Sequence, residues 1–141
     1  MKISIITAFP DLMRGYAAAS VLGRGVSAGR LDLEIVDIRD FSEGSYRQID
    51  DYCYGSGGMM LMAEPLAKAL ESVTGSEKPY VVYPSPQGTH LHQELVEDLS
   101  RKEHLVIVCG HYEGIDERFV EKFVDAEISL GDFVLTGGEM P

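Results

Sequence analysis

The sequence predicts a single α/β domain built on a mostly parallel sheet. Short apolar runs of strand length alternate along the chain with segments whose apolar residues recur at helical spacing. One run, residues 105–109, is apolar at every position, which is typical of a strand buried on both faces of a parallel sheet. The 141 residues, 45% of them hydrophobic, are enough for one core of ordinary size.

The first half of the chain contains two predicted strands, a helix and a long loop. Residues 3–7 form the first strand, and Pro10 followed by Asp11 is typical of the first turn of a helix. Apolar and acidic residues alternate over residues 31–35, which predicts a second strand with one solvent-facing side. Residues 40–58 show no periodicity and are rich in Gly, Ser, Tyr and Asp, so a large loop is predicted there.

The second half alternates helices and strands more regularly. A helix starts at Glu64, and a third strand covers residues 80–83. Leucines recur every four residues from position 91 to 99 and predict a helix before the strand at 105–109. A further helix follows, and residues 127–135 form a last extended segment. The helix that starts at Glu64 and the helix after the strand at 105–109 are each predicted from an apolar face. These faces are Leu66, Ala69, Leu70 and Val73 in the first, and Phe119, Val120, Phe123 and Val124 in the second.

Three glycine-containing loops follow predicted strands, at residues 84–88, 110–114 and 131–138. Sheets of this class bind ligands in the loops at the carboxyl ends of their strands. The three loops are therefore expected to converge on one ligand site.

Composition and cysteine usage indicate a cytoplasmic protein without a membrane partner. Cys53 and Cys109 lack the spacing of a zinc site or of a disulfide framework, and Cys109 is expected to be a small buried residue. The apolar stretch at the N-terminus is too short for a signal peptide, and no segment approaches the length of a membrane span. The chain stops just after a pair of glycines, which we expect to be the boundary of a fragment.

The charge balance disfavours, by itself, a nucleic-acid partner. The net charge is −11, with six basic and six acidic residues in 1–49 against six and seventeen in 50–141. Affinity for nucleic acid depends largely on Lys and Arg neutralising phosphates. Composition alone therefore favours other partners.

Several short patterns have an ordinary explanation as well as a functional one. Residues 23–28 match the dinucleotide pattern G-x-G-x-x-A, but they follow a predicted helix and precede a strand, the reverse of what a cofactor loop needs. The four histidines lack metal-ligand spacing, and no G-x-S-x-G turn occurs. Glu113 lies within a glycine loop, where it is either a solvated residue or a partner of a cationic ligand group.

Longer motifs resemble the bacterial tRNA (guanine-N1)-methyltransferases of the SPOUT class. The order and spacing of these motifs agree with that family from residue 3 to residue 141. The motifs are Cys109-Gly110-His111-Tyr112-Glu113-Gly114-Ile115-Asp116-Glu117-Arg118, Ser129-Leu130-Gly131-Asp132-Phe133-Val134-Leu135-Thr136-Gly137-Gly138-Glu139, Ser85-Pro86-Gln87-Gly88, Arg47-Gln48-Ile49-Asp50-Asp51 and Phe9-Pro10-Asp11-Leu12.

The resemblance implies a SPOUT fold, whose C-terminal part forms a deep trefoil knot that binds S-adenosylmethionine. Knotted chains are rare exceptions among protein folds. Residues 1–141 would then be one S-adenosylmethionine-binding domain, with the family's C-terminal tRNA-binding domain absent from this chain. The implied cofactor-binding residues are Tyr83, Pro84, Ser85, Gly110, Tyr112, Glu113, Gly114, Ser129, Leu130, Gly131, Asp132, Phe133, Val134, Leu135, Gly137, Gly138 and Pro141.

The implied reaction is methyl transfer to N1 of the guanosine just 3′ of the tRNA anticodon, by a homodimer whose sites lie at the interface. The general base of the family and its partner arginine would lie beyond Pro141, so Glu113 is the one catalytic candidate here, as an orienting group. The resemblance leaves room for Mg²⁺ as a second cofactor, with no metal ligand assigned. Within this chain, tRNA contact would have to fall in the neutral half, on Arg14, Arg24, Arg30, Arg39 and Arg47.

The resemblance also implies substrate contacts for Arg47, Asp50 and Tyr54. The adjoining loop departs from the family pattern, since Cys53 replaces a proline and Ser56 and Met59 replace glycines, while His111 stands where arginine is common. Two alternatives stay open: a non-catalytic knotted module that binds the cofactor, and a SPOUT enzyme that methylates the ribose 2′-OH.

Overall fold

The computed structural model describes residues 1–53 and 57–141, and a five-stranded parallel sheet forms its centre. Every neighbouring pair in this sheet is parallel, and the strand order is β2-β1-β6-β5-β7. This confirms the predicted α/β class. The strands of the sheet are β1 (Lys2–Thr7), β2 (Asp32–Asp37), β5 (Tyr80–His90), β6 (His104–Val108) and β7 (Ala126–Ser129).

The described residues form five α-helices around the sheet, and one of these helices was not predicted. They are α1 (Pro10–Ala17), α2 (Ser20–Ser27), α3 (Ala63–Val73), α4 (Gln93–Ser100) and α5 (Glu117–Phe123). The unpredicted helix α2 contains most of the G-x-G-x-x-A pattern, which is therefore not a turn between a strand and a helix. Its first glycine has a packing role, because a Cβ on Gly23 would overlap the backbone of Ala18 at the turn from α1. No helix in the described ranges is long and apolar enough to cross a membrane.

The prediction of one continuous loop over residues 40–58 is wrong, because the segment overlaps two short elements. A 3₁₀ turn (Ile38–Phe41) enters it, and β3 (Asp50–Tyr52) pairs antiparallel with β4 (Met59–Leu61). These strands have three residues each, too few to show an alternating pattern. Burial of Ile49 and Leu61 in the core anchors the hairpin instead.

The core lies on both faces of the sheet, as the all-apolar run at 105–109 predicted. Val106 packs into the larger cluster, which includes residues of α3 and α5, while Leu105 packs into the smaller cluster with residues of α4. Phe119 of α5 is fully buried in the larger cluster. Cys109 is 2% exposed, which confirms that it is a buried residue.

Strand β5 continues through the segment predicted to be a loop. Ile128 of β7 pairs with Pro84 and also with Thr89, so the residues between these two positions bulge away from the ladder. Gly88 permits this, because a Cβ there would overlap the backbone of Glu127. Strand β7 is shorter than the extended segment predicted over 127–135, since the chain turns at Gly131 with a φ of +157°.

Candidate ligand-binding site

A cleft lies at the carboxyl ends of β6 and β7, beside the bulge in β5. Its cavity volume is about 170 Å³, and the cleft is partly open to solvent. All three loops singled out in the sequence contribute to its walls. The residues that line it are Tyr83, Pro84, Ser85, Pro86, Gly110, His111, Tyr112, Glu113, Gly114, Ile128, Ser129, Leu130, Gly131, Phe133, Val134, Leu135, Thr136, Gly137, Gly138 and Pro141.

The structure brings together every residue predicted to bind a cofactor except Asp132. The carboxylate of Asp132 is exposed and lies 3.3 Å from Nε2 of His90, outside the lining of the cleft. Sequence reasoning did not assign four lining residues, Pro86, His111, Ile128 and Thr136. Pro86, His111 and Thr136 lie within predicted loops, so position along the chain was the available signal for these three. Ile128 lies in the strand before the last loop, where no such signal was available.

Glycines allow the walls of the cleft to approach one another closely. A Cβ on Gly110 would lie 2.7 Å from the ring of Tyr83, and one on Gly138 would lie 2.9 Å from the backbone nitrogen of Gly110. The N–H of Gly138 donates a 2.7 Å hydrogen bond to the carbonyl of Gly110, and Gly137 pairs with His111. The last loop is thereby fixed against the loop that follows β6.

Tyr83 forms the inner wall, with its ring against Gly110 and Gly114. Burial raises the pKa of the Tyr83 phenol, the negative charge of Glu127 raises it further, and a backbone hydrogen bond from Ile115 acts in the opposite direction. The phenol therefore stays protonated at neutral pH and is not suited to act as a base.

The loop that follows β6 is braced by the hairpin. The N–H of Glu113 donates to the carbonyl of Met59 at 2.9 Å, and the N–H of Leu61 donates to the carbonyl of Gly114 at 3.0 Å. Tyr112 adopts a left-handed φ of +60°, a conformation that non-glycine residues adopt only where the surroundings enforce it. The side chain of Glu113 is exposed and lies against Gly58, at the rim of the cleft.

The opposite rim is apolar. Ser129 is 1% exposed, and its Oγ both donates to the carbonyl of Gly131 and accepts from its N–H, at 3.0 and 3.2 Å. These bonds hold the turn beyond which Phe133 and Val134 project, 53% and 81% exposed. Large exposed apolar side chains beside a cleft are typical of a ligand or partner site.

Of the predicted substrate residues, Arg47 and Asp50 are described by the structure and do not line the cleft. Arg47 forms an ion pair with Asp40, and its Nε donates to the carbonyl of Arg39 at 3.2 Å. Asp50 lies in β3, paired with Leu61. Tyr54 lies outside the described residues, and the roles of all three stay predictions.

Across residues 1–53 and 57–141, no three His, Cys, Asp or Glu side chains are grouped as metal ligands. These residues offer no assembled site for Mg²⁺, so we derive no step from that ion.

Comparisons with known proteins give matches that extend over the whole chain. The family model described as tRNA (Guanine-1)-methyltransferase TrmD matches residues 1–141. Among the curated relatives, the tRNA (guanine-N(1)-)-methyltransferase of Ruminiclostridium cellulolyticum is 44% identical over all of this chain and 62% of its own length. That of Brevibacillus brevis is 48% identical over 99% of this chain and 58% of its own length.

A solved structure gives the same result. The crystal structure of tRNA (m1G37) methyltransferase from Aquifex aeolicus superposes with a TM-score of 0.89 at 39% identity, covering 99% of this chain and 64% of that one. The chain spans about three fifths of the length of the two curated relatives described above.

Proposed function

The chain belongs to the tRNA (guanine-1)-methyltransferase TrmD family, and on this premise we propose that it carries the methyl-donor site of a tRNA-methylating enzyme. The proposed reaction is methyl transfer from S-adenosylmethionine to N1 of the guanosine on the 3′ side of the anticodon. The observation that carries the proposal is the convergence of three glycine-containing loops on one cleft.

The cleft has the features that S-adenosylmethionine requires. The absence of a Cβ at Gly110 and Gly138 lets the two loops approach each other closely, and this approach shapes the cleft in which an adenine or ribose would lie. Leu130, Phe133 and Leu135 offer apolar surface. When bound, S-adenosylmethionine supplies an electrophilic methyl group on a positively charged sulfur. Among the described residues that line the cleft there is one carboxylate, that of Glu113, and there is no Lys or Arg that would repel that charge.

We propose that this chain aligns the methyl donor with N1 of the guanine and that the general base is not among its residues. N1 of guanine carries a proton that must be removed as the methyl group arrives. A positioned base typically contributes about 10²–10⁴-fold. Tyr83 is held as a neutral phenol, and Glu113 lies at the exposed rim, where it suits an orienting hydrogen bond to the guanine.

We propose that the C-terminal part of this single domain is threaded as the deep trefoil knot of the SPOUT class. Two features support the threading. The bulge in β5 brings Pro84 and Thr89 to the same residue of β7, Ile128. The segment at Gly137 and Gly138 then returns to the loop that follows β6.

We propose that two copies of the chain form a homodimer with the clefts at the interface. Helices α1 and α2 contain no buried residue, and their apolar side chains Leu12, Tyr16 and Val21 are 55%, 72% and 68% exposed. A second copy is the occupant that would cover this face. Analytical ultracentrifugation checks the proposal, and a monomer at micromolar concentration would overturn it.

Three of the five arginines expected to contact tRNA are paired with acidic side chains of the same chain. Arg14, Arg39 and Arg47 form ion pairs with acidic neighbours. Arg24 and Arg30 make no side-chain hydrogen bond or ion pair within the described part of the chain. These two are the proposed phosphate contacts of the chain.

Calorimetric titration with S-adenosylmethionine tests the site directly. One molecule is expected to bind per chain, and the absence of binding would overturn the proposal. The reaction is tested with the whole enzyme, labelled S-adenosylmethionine and a tRNA transcript, followed by mass mapping of the product. Methylation at guanine N1 supports the proposal, methylation of a ribose 2′-OH indicates the other SPOUT activity, and binding without transfer indicates a non-catalytic module.

A further inference from the structure

A buried carboxylate lies directly behind the wall of the cleft. The side chain of Glu139 is 4% exposed, and its Oε1 accepts a 2.7 Å hydrogen bond from the hydroxyl of Thr7, at the carboxyl end of β1. Thr7 is itself 1% exposed and accepts a hydrogen bond from the N–H of Phe9. The hydroxyl thus links the start of the chain to a residue 132 positions away.

The other oxygen of this carboxylate faces a histidine that lines the cleft. Oε2 of Glu139 lies 3.9 Å from Nδ1 of His111, and a Cβ on Gly137 would lie within 2.6 Å of both atoms. Within the described residues, Nδ1 of His111 is a buried polar atom without a hydrogen-bond partner, although the side chain as a whole is 24% exposed. The accessible nitrogen of the ring is therefore Nε2.

The ring of His111 has little freedom to rotate. It packs between Phe9 and Tyr112, with ring centroids 4.7 and 4.9 Å apart. Its backbone pairs with Gly137. A further ionisable neighbour of Glu139 is the thiol of Cys109, whose pKa is raised to about 12 by burial and by the negative charge of Glu139. The thiol is protonated and adds no charge.

We propose that Glu139 is a positioning residue that acts through His111. Its carboxylate holds the imidazole with the proton on Nδ1, so that Nε2 presents a lone pair to the cleft and accepts a hydrogen bond from the bound cofactor. In a neutral imidazole one nitrogen donates and the other accepts, and a partner on one nitrogen sets the role of the other. The part of this proposal that concerns ligand binding rests on the proposed function, and the part that concerns the tautomer does not.

The hydrogen bond with Thr7 does not explain why residue 139 is a carboxylate and not a neutral amide. A carboxylate is costly to bury unless it is paired, and a neutral amide would accept the hydrogen bond from Thr7 equally well. At 3.9 Å the carboxylate does not form a hydrogen bond with Nδ1. It acts on the ring through its negative charge, which favours a proton on the nearer nitrogen.

The test compares Glu139→Gln with the wild-type chain by long-range ¹H–¹⁵N NMR of the imidazoles at pH 7.5. His111→Asn assigns the resonance, and His104, which contacts Ser4 instead, is the internal control. Wild-type His111 is expected to carry its proton on Nδ1, and Glu139→Gln is expected to shift it towards the Nε2–H form. An unchanged tautomer in Glu139→Gln would overturn the proposal.

Affinity for S-adenosylmethionine provides the second readout. Glu139→Gln is expected to bind about three- to tenfold more weakly, the effect of one lost hydrogen bond, with an unchanged or higher melting temperature. Glu71→Gln, on the exposed side of α3, is the matched control. Thr7→Val is expected to lower the melting temperature without changing the tautomer. If Glu139→Gln loses affinity only as far as it loses stability, the positioning role is overturned. If the wild-type chain does not bind S-adenosylmethionine, the proposed function is overturned instead.

Discussion

Replacing Gly138 by alanine tests whether the close approach of two loops builds the cleft. The added Cβ would lie 2.9 Å from the nitrogen of Gly110 and 3.0 Å from Cα of Cys109. Both are backbone atoms, so no side-chain rotation can relieve the overlap. The segment must therefore move away from Gly110 and weaken the 2.7 Å hydrogen bond between the two residues.

The expected loss of stability combines two effects. Overpacking typically costs about 1–3 kcal/mol, and a lost backbone hydrogen bond costs about 1 kcal/mol. A total of roughly 2–4 kcal/mol corresponds to a fall in melting temperature of roughly 5–15 °C for a domain of this size. Because Gly138 lines the cleft, affinity for S-adenosylmethionine is expected to fall at least tenfold in calorimetry at a temperature where the variant is folded.

Gly25→Ala is the matched control, since its Cβ would have no atom within 4 Å and the residue lies in helix α2. Alanine there is expected to stabilise the chain by up to about 1 kcal/mol and to leave affinity unchanged. Wild-type stability in Gly138→Ala would refute the packing argument. Reduced stability with full affinity would refute the argument that this contact shapes the cleft.

Three further predictions concern the rest of the fold. Burial and then the positive charge of Lys2 lower the pKa of His104, so its contribution to stability is complete above the unfolded pKa of about 6.5 and is lost as the pH falls below it. The free energy of unfolding from urea titration should therefore fall between pH 7 and pH 5 in the wild type, and fall less in His104→Gln. The Cys109 thiol, with its pKa of about 12, should resist iodoacetamide in the folded chain while Cys53 reacts, and equal rates in mass spectrometry would contradict this. Phe119→Ala should lower the free energy of unfolding by about 3–5 kcal/mol, and a loss below 1 kcal/mol in urea titration would contradict its place in the core.

The sequence carried enough information for the sheet but not for all of its pairings. Strand β6 was predictable because burial on both faces requires an apolar residue at every position. The continuation of β5 to His90 was not predictable, because Pro84 and Pro86 are typical of a loop and the later residues are held by pairing with β7. The β3–β4 hairpin was missed because three-residue strands have no period to detect.

The loops that line the candidate site were predictable from the sequence, and the buried carboxylate behind them was not. Parallel topology alone brings the loops after β6 and β7 to the same edge of the sheet. Glu139 is the last residue of a family motif, and nothing in the neighbouring sequence indicates that its carboxylate is buried. Its burial depends on Thr7, at the far end of the chain, and only the tertiary fold brings the two together.

The location of charge explains how a chain of net charge −11 fits a family that modifies tRNA. Phosphate affinity requires cations that are not already neutralised, and most of the arginines of the neutral half are paired with acidic neighbours, which leaves Arg24 and Arg30. The described residues that line the cleft include no Lys or Arg and a single carboxylate, that of Glu113. Such a lining offers a phosphate no cation to pair with and suits a small ligand with a positively charged centre. The acidity of this chain therefore argues against a phosphate in the cleft and leaves its proposed methyl-donor site intact.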